Sequence, residues 1–192
     1  MKSLFTLIVT WLAVSCTPLV RQENVTDPDG NQYPVASMPD GKIWLAKNLK
    51  VEVEGSYCYD SLKKNCDQYG KLYVWQSAKM ACGKLGSKWR RPTNEEWRKL
   101  VNHFGGIVGE PGDGTRAFRL LTDSTQFNIL LGGGRDPDGS YRRVDAHGFY
   151  WSATQTDTTQ AWLYNFAKGP ALLNAHPDID KRRAASVRCV KD

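Results

Sequence analysis

No apolar run in this chain of 192 residues is long enough for a bilayer span, which takes about 20 consecutive residues, so a helical membrane protein is excluded. Histidine is scarce. His103, His147 and His176 lie far apart with no second ligand at metal spacing. No CxxC pair is present, which argues against a four-cysteine zinc site. HExxH, GxSxG, the Walker A loop and the dinucleotide fingerprint GxGxxG are all missing. The chain is therefore read as non-enzymatic, with no catalytic residue, no metal site and no cofactor. Basic residues exceed acidic ones by 26 to 20, but no RNA or DNA motif accompanies them, and no nucleic-acid partner is expected. The composition, 41% hydrophobic and 24% charged, is neither disordered nor collagen-like. Against only 3 methionines stand 17 glycines and 9 prolines, the mark of a turn-rich chain of modest helix content.

The N-terminus points to export. Lys2 is a short positive n-region, and residues 4–14 are apolar except for Thr6 and Thr10. Such an h-region is too short to span a membrane and reads as a secretory signal. Ala13-Val14-Ser15-Cys16 resembles a bacterial lipobox, with Cys16 the lipidated residue after cleavage. Residues 1–15 are then the signal peptide, 16–24 a flexible tether and 25–192 the folded domain. Loss of Lys2 lowers the formal charge from +6 to +5. Several acyl chains exceed the two membrane signals that stable anchoring requires, so the membrane is a partner through lipid, not through a span.

Five cysteines are an odd number. Assigning Cys16 to lipid leaves Cys58, Cys66, Cys82 and Cys189, and an exported chain makes two disulfides of them, with three possible connectivities. Cys58 and Cys66 enclose a turn-rich segment, so a local clasp is the cheapest pairing; Cys82 would then reach Cys189.

Asp27-Pro28-Asp29-Gly30 reads as a tight turn between two strands. Met38 to Lys42 forms a second turn leading to a core strand at 43–46, and Asp136-Pro137-Asp138-Gly139 is a third turn rather than a calcium loop. Two helices are expected. One runs from Tyr73 to Cys82. The other opens on a capping box, Thr93 with Glu96, and buries Trp97, Leu100, Val101 and Phe104 before Gly105-Gly106. Residues 109–114 form a glycine-rich loop. Residues 127–131, 141–144, 149–153, 161–166 and 186–190 read as short strands.

An ordered set of motifs continues through the chain: Gly30-Asn31-Gln32-Tyr33, Ile43-Trp44-Leu45-Ala46-Lys47-Asn48-Leu49, Tyr57-Cys58-Tyr59-Asp60 with Cys66, and Tyr69-Gly70-Lys71-Leu72-Tyr73-Val74-Trp75. Then come Trp89-Arg90-Arg91-Pro92-Thr93 with Glu96-Trp97, Gly133-Gly134-Arg135, Tyr150-Trp151-Ser152-Ala153-Thr154 and Ser186-Val187-Arg188-Cys189-Val190. Together they resemble the Fibrobacter succinogenes major paralogous domain, common in lipoproteins of Bacteroidetes and Fibrobacteres. That family is similar in turn to the C-type lectin-like fold, which formylglycine-generating enzymes also elaborate. The resemblance implies an α+β domain with two helices on twisted antiparallel sheets and neighbouring termini. It also implies the pairing Cys58–Cys66 and Cys82–Cys189, and a core filled by Trp44, Trp75, Trp89, Trp97 and Trp151. The calcium-lectin motifs glutamate-proline-asparagine and tryptophan-asparagine-aspartate are absent, and only Cys189 lies where formylglycine generation needs two cysteines.

The loops most free to vary in such a fold, 134–147 and 168–184, carry Arg135, Tyr141, Arg142, Arg143, His147, His176, Lys181, Arg182 and Arg183. Trp162 and Tyr164 share one strand face. Arg135, Tyr141, Arg142, His147, Trp162, Tyr164 and His176 are the candidate ligand-binding set, because aromatic rings and arginines dominate binding surfaces. The expected function is a lipid-anchored outer-membrane module at the cell surface, or on its periplasmic face. It would bind without catalysis, as an accessory to a transporter complex taking up glycan or peptide. An adhesin or structural envelope component is the second reading, and an enzyme with an unrecognised site the third.

Overall fold

Asp27 organises the first hairpin. Its buried carboxylate accepts the Asp29 and Asn31 amides at 2.9 Å each, the Asn31 side chain at 2.8 Å and the Tyr33 hydroxyl at 2.6 Å. Gly30 takes the left-handed φ of +82° that closes the turn. The flanking strands are β1 (Asn24–Thr26) and β2 (Gln32–Ser37), paired antiparallel. The computed structural model describes residues 23–123 and 127–192. The signal segment, Cys16 and the tether as far as residue 22 lie outside the described residues.

The domain is a mixed α and β structure with two sheets, four helices and two disulfides among the described residues. In the smaller sheet β1 and β2 continue to β3 (Ile43–Leu45) and then β12 (Val190–Lys191), so the first and last strands share one sheet. The larger sheet is built from β4 (Ser56–Tyr57), β5 (Leu72–Val74), β6 (Gly132–Arg135), β8 (His147–Gln155), β9 (Gln160–Ala167), β10 (Leu172–Asp180) and β11 (Ala184–Ala185). Its order is β10-β9-β8-β6-β11-β5-β4, with β7 (Tyr141–Val144) hydrogen-bonded to β6. Both faces of β9 are buried. Ala161 and Leu163 join a core with Phe149, Trp151 and Cys82; Tyr164 and Phe166 join another with Trp44, Trp97 and Phe127.

The helix α3 (Asn94–His103) forms as its capping box requires: Thr93 Oγ1 accepts the Glu96 amide at 3.2 Å and Glu96 Oε2 accepts the Thr93 amide at 2.8 Å. Burial alone would raise the Glu96 carboxyl. Two 2.7 Å hydrogen bonds from Arg90, the Thr93 amide and the charge of Lys42 outweigh it and leave the group below its ordinary value. A carboxyl depressed on folding adds stability above its unfolded pKa of about 4.3, and loses that stability as pH falls through the lower folded value. Glu96→Gln should therefore lower the urea midpoint at pH 7. The gap to wild type should close below about pH 4.

The expected helix from Tyr73 begins two residues later, as α2 (Trp75–Gly83). Tyr73 instead sits in β5, paired with Ser56 and Ala185, because a short run of Leu, Tyr and Val fits a vacancy between two strands. Two helices beyond the expected pair are present. α1 (Lys63–Tyr69) carries Cys66 and is tied by it to Cys58, and α4 (Thr115–Thr122) buries Ala117, Phe118 and Leu121. Residues 127–131 are not a strand. β6 takes that place with a Gly-Gly-Gly-Arg sequence, where a Cβ on Gly133 would lie 2.6 Å from the Arg142 carbonyl oxygen. Most of the expected loop 168–184 is β10, an edge strand whose Pro177 lies in an irregularity between His176 and Ile179. The expected strand 186–190 is a crossover: β11 belongs to the larger sheet and β12 to the smaller. Both disulfides are formed, Cys58–Cys66 and Cys82–Cys189.

Candidate functional site

Two depressions lie around the hairpin of β6 and β7 and the turn from β10 to β11. The larger is an open groove of about 740 Å³. Tyr57 from β4, Trp75 and Gln76 from the start of α2, Arg135 from β6, Gln155 from β8 and Lys181 beyond β10 are among its lining residues, with Thr158 and Arg182. None of the described lining residues is a carboxylate. The smaller cavity, about 210 Å³, holds Arg142, Arg143, His176 and Arg183 around Asp136, over Phe149 and Leu163.

Trp75 is the anchor of the groove. Its indole donates to the Ser152 carbonyl at 2.9 Å, and the buried Arg91 packs 4.1 Å from the ring centroid while donating to the Trp75 carbonyl at 2.7 Å. Burial lowers the Arg91 guanidinium to about 10, still charged at neutral pH. Lys181 Nζ stands 4.5 Å from the same ring and is held by Gln155 Oε1 at 2.8 Å and the Asp157 carbonyl at 2.6 Å. Arg135 packs on Tyr57 at 4.2 Å and on Tyr141 at 5.8 Å. Among the described residues its guanidinium has no hydrogen-bond or ion-pair partner. Helix α2 starts at this wall with no side-chain cap, so the positive end of its dipole faces the same region.

The smaller cavity differs electrostatically. Asp136 pairs with Arg142 and Arg183 at 3.0 Å each and cancels much of their charge. Burial pushes the Arg183 guanidinium down, against the pull of Asp136.

The candidate residues read from sequence fall into three places. Arg135 lines the groove, with Tyr141 beside it. Arg142 and His176 line the smaller cavity, and His147 Nδ1 lies 2.8 Å from Oδ1 of Asn165 on its wall. Trp162 and Tyr164 are in neither. Tyr164 is fully buried, stacked 5.1 Å from Trp97 and donating to Asn94 Oδ1 at 2.8 Å; burial raises its hydroxyl well above its ordinary value. Trp162 packs 5.2 Å from Arg98 of α3, which is ion-paired with Glu110. Alternation placed both on one face correctly, but that face points to the helices.

Trp75, Tyr57 and Gln76 were missed. The resemblance puts Trp75 in the core with the other signature tryptophans; Trp44, Trp89, Trp97 and Trp151 are buried, while Trp75 packs on the core half-buried and faces the groove. Its place next to the breakpoint between β5 and α2 is the signal that could have shown this. Among the described residues no group of three or more His, Cys, Asp or Glu could hold a metal ion, and no helix is long and apolar enough to cross a membrane. Residues 30–191 match the family described as Fibrobacter succinogenes major domain. No curated protein matches the chain.

Proposed function

Because the chain belongs to the Fibrobacter succinogenes major domain family, we propose that it is a lipid-anchored outer-membrane module that binds an extracellular ligand without transforming it. In this reading it serves a surface complex for glycan or peptide uptake. The open groove of about 740 Å³ with its paired rings and cations is the observation that supports binding. The lectin-like arrangement belongs to the same proposal. It is supported by the shared sheet of the first and last strands and by the Cys82–Cys189 bond from α2 to the end of the chain.

Glycan and peptide arrays probed with the full-length chain test the binding role. Signal that weakens in Arg135→Gln is expected, and silence on both arrays would remove the reading. The anchor has its own test. Metabolic labelling with a palmitate analogue should tag the wild type, and Cys16→Ser should lose both label and membrane fractionation; a labelled Cys16→Ser chain contradicts the lipobox assignment.

A further inference from the structure

We infer that the ligand of the groove is an acidic oligosaccharide, one whose sugar rings carry carboxylate or sulfate groups. This rests on the binding-module reading above. Three cations line the groove, Arg135, Lys181 and Arg182, with no carboxylate among the described lining residues. Arg182 is spent on Asp180, at 2.6 Å. Arg135 is not neutralised, and Lys181 is neutralised only in part, by the nearby Asp157 carboxylate with which it makes no ion pair. Arg135 packs between the Tyr57 and Tyr141 rings without an acidic partner, and the hydrogen-bond acceptors of Lys181 are a neutral amide and a backbone carbonyl. A ring quadrupole positions a cation without cancelling its charge, so the aromatic residues do here what Asp136 does in the smaller cavity, but leave the charge available. Arg135 is also half-buried, where less water screens its field.

The neighbouring groups favour a sugar over a peptide. Gln76, Gln155 and Thr158 are exposed and together offer amide and hydroxyl donors and acceptors suited to ring hydroxyls. Capture of an extended peptide by strand addition needs an unpaired strand edge. Of the strands that line the groove, β5 is flanked by β4 and β11, β6 by β11, β7 and β8, and β8 by β6 and β9; β4, at the edge of the sheet, is two residues long.

Calorimetric titration of the full-length protein in detergent decides this, using tetragalacturonate, its methyl ester, a sulfated galactose tetramer and tetraglutamate as probes. At least one acidic sugar should bind, more weakly as salt rises, and the ester should bind at least about tenfold more weakly. Which acid binds separates carboxylate from sulfate recognition. Arg135→Gln and Lys181→Gln should each weaken acidic-sugar binding by about tenfold, and Arg182→Gln less, at unchanged thermal midpoint. Should either variant fold poorly, the acid-to-ester contrast in the wild type carries the test alone. Equal affinity for the ester overturns the inference and leaves the binding module standing, as does tighter binding of tetraglutamate. No binding of any probe overturns the inference, and the binding reading then stands or falls on the glycan and peptide arrays.

Discussion

Arg188→Met is expected to lower the unfolding free energy by about 4 kcal/mol or more, read as a large drop in urea midpoint or failure to accumulate folded chain. Arg188 is fully buried, and its guanidinium donates to four carbonyl oxygens beside the Phe127 and Tyr150 rings. Nε donates to Asn48 Oδ1 at 2.8 Å, Nη1 to the Leu45 and Phe127 carbonyls at 3.0 and 2.8 Å, and Nη2 to the Asn128 carbonyl at 2.6 Å. One side chain thus joins the β3 strand, Asn48 in the segment after it and the irregular segment at 127–128. Burial pushes its guanidinium below its ordinary value and Tyr150 offsets part of that, but an arginine stays protonated. Methionine fills similar space but supplies no donor to these acceptors, and a buried acceptor that loses its donor costs about 1–3 kcal/mol. Arg188→Lys should rescue little, since one ammonium cannot reproduce a planar fork reaching acceptors on three segments. A lysine variant with wild-type stability would show that charge, not geometry, is what the site needs.

The second large effect belongs to the long disulfide. Cys82–Cys189 closes a separation of 107 residues and Cys58–Cys66 one of 8. Loop-closure entropy assigns about 5 kcal/mol to the first and ~2–3 kcal/mol to the second. For a domain of this size, Cys82→Ala with Cys189→Ala should lower the thermal midpoint by roughly 10–20 °C, and the Cys58/Cys66 double variant by about half as much. Packing adds to the difference, because Cys82 and Cys189 are both fully buried in the core that holds Trp151 and Leu163. Equal midpoints for the two double variants would mean that chain entropy is not what the long bond contributes.

Elements whose signals are local were legible. The α3 capping box, the Asp27 turn and the alternation of β9 each depend on residues within a few positions, and each appears where spacing put it. β6 was not legible, because a glycine run has low strand propensity and forms one here only where Arg142 and Tyr59 crowd the backbone. β10 was hidden by Pro177, which an edge strand tolerates at an irregularity. Residues 127–131 look like a strand because Phe127 and Ile129 are apolar and buried; the carbonyls of Phe127 and Asn128 are turned to Arg188 instead. The candidate site was half legible. Its basic loops could be named, but not which cations an acid would neutralise.

By itself the sequence determined the two disulfides, the capped helix, the hairpin turns and the family, because each depends on residue identity at short or ordered spacing. The tertiary structure decided the rest. It put Tyr164 in the core and left Trp75 half-buried at the groove, paired Arg142 and Arg183 with Asp136, and set Arg135 against rings that hold its charge without cancelling it. Those outcomes depend on which distant strands become neighbours, and no local pattern in the chain encodes them.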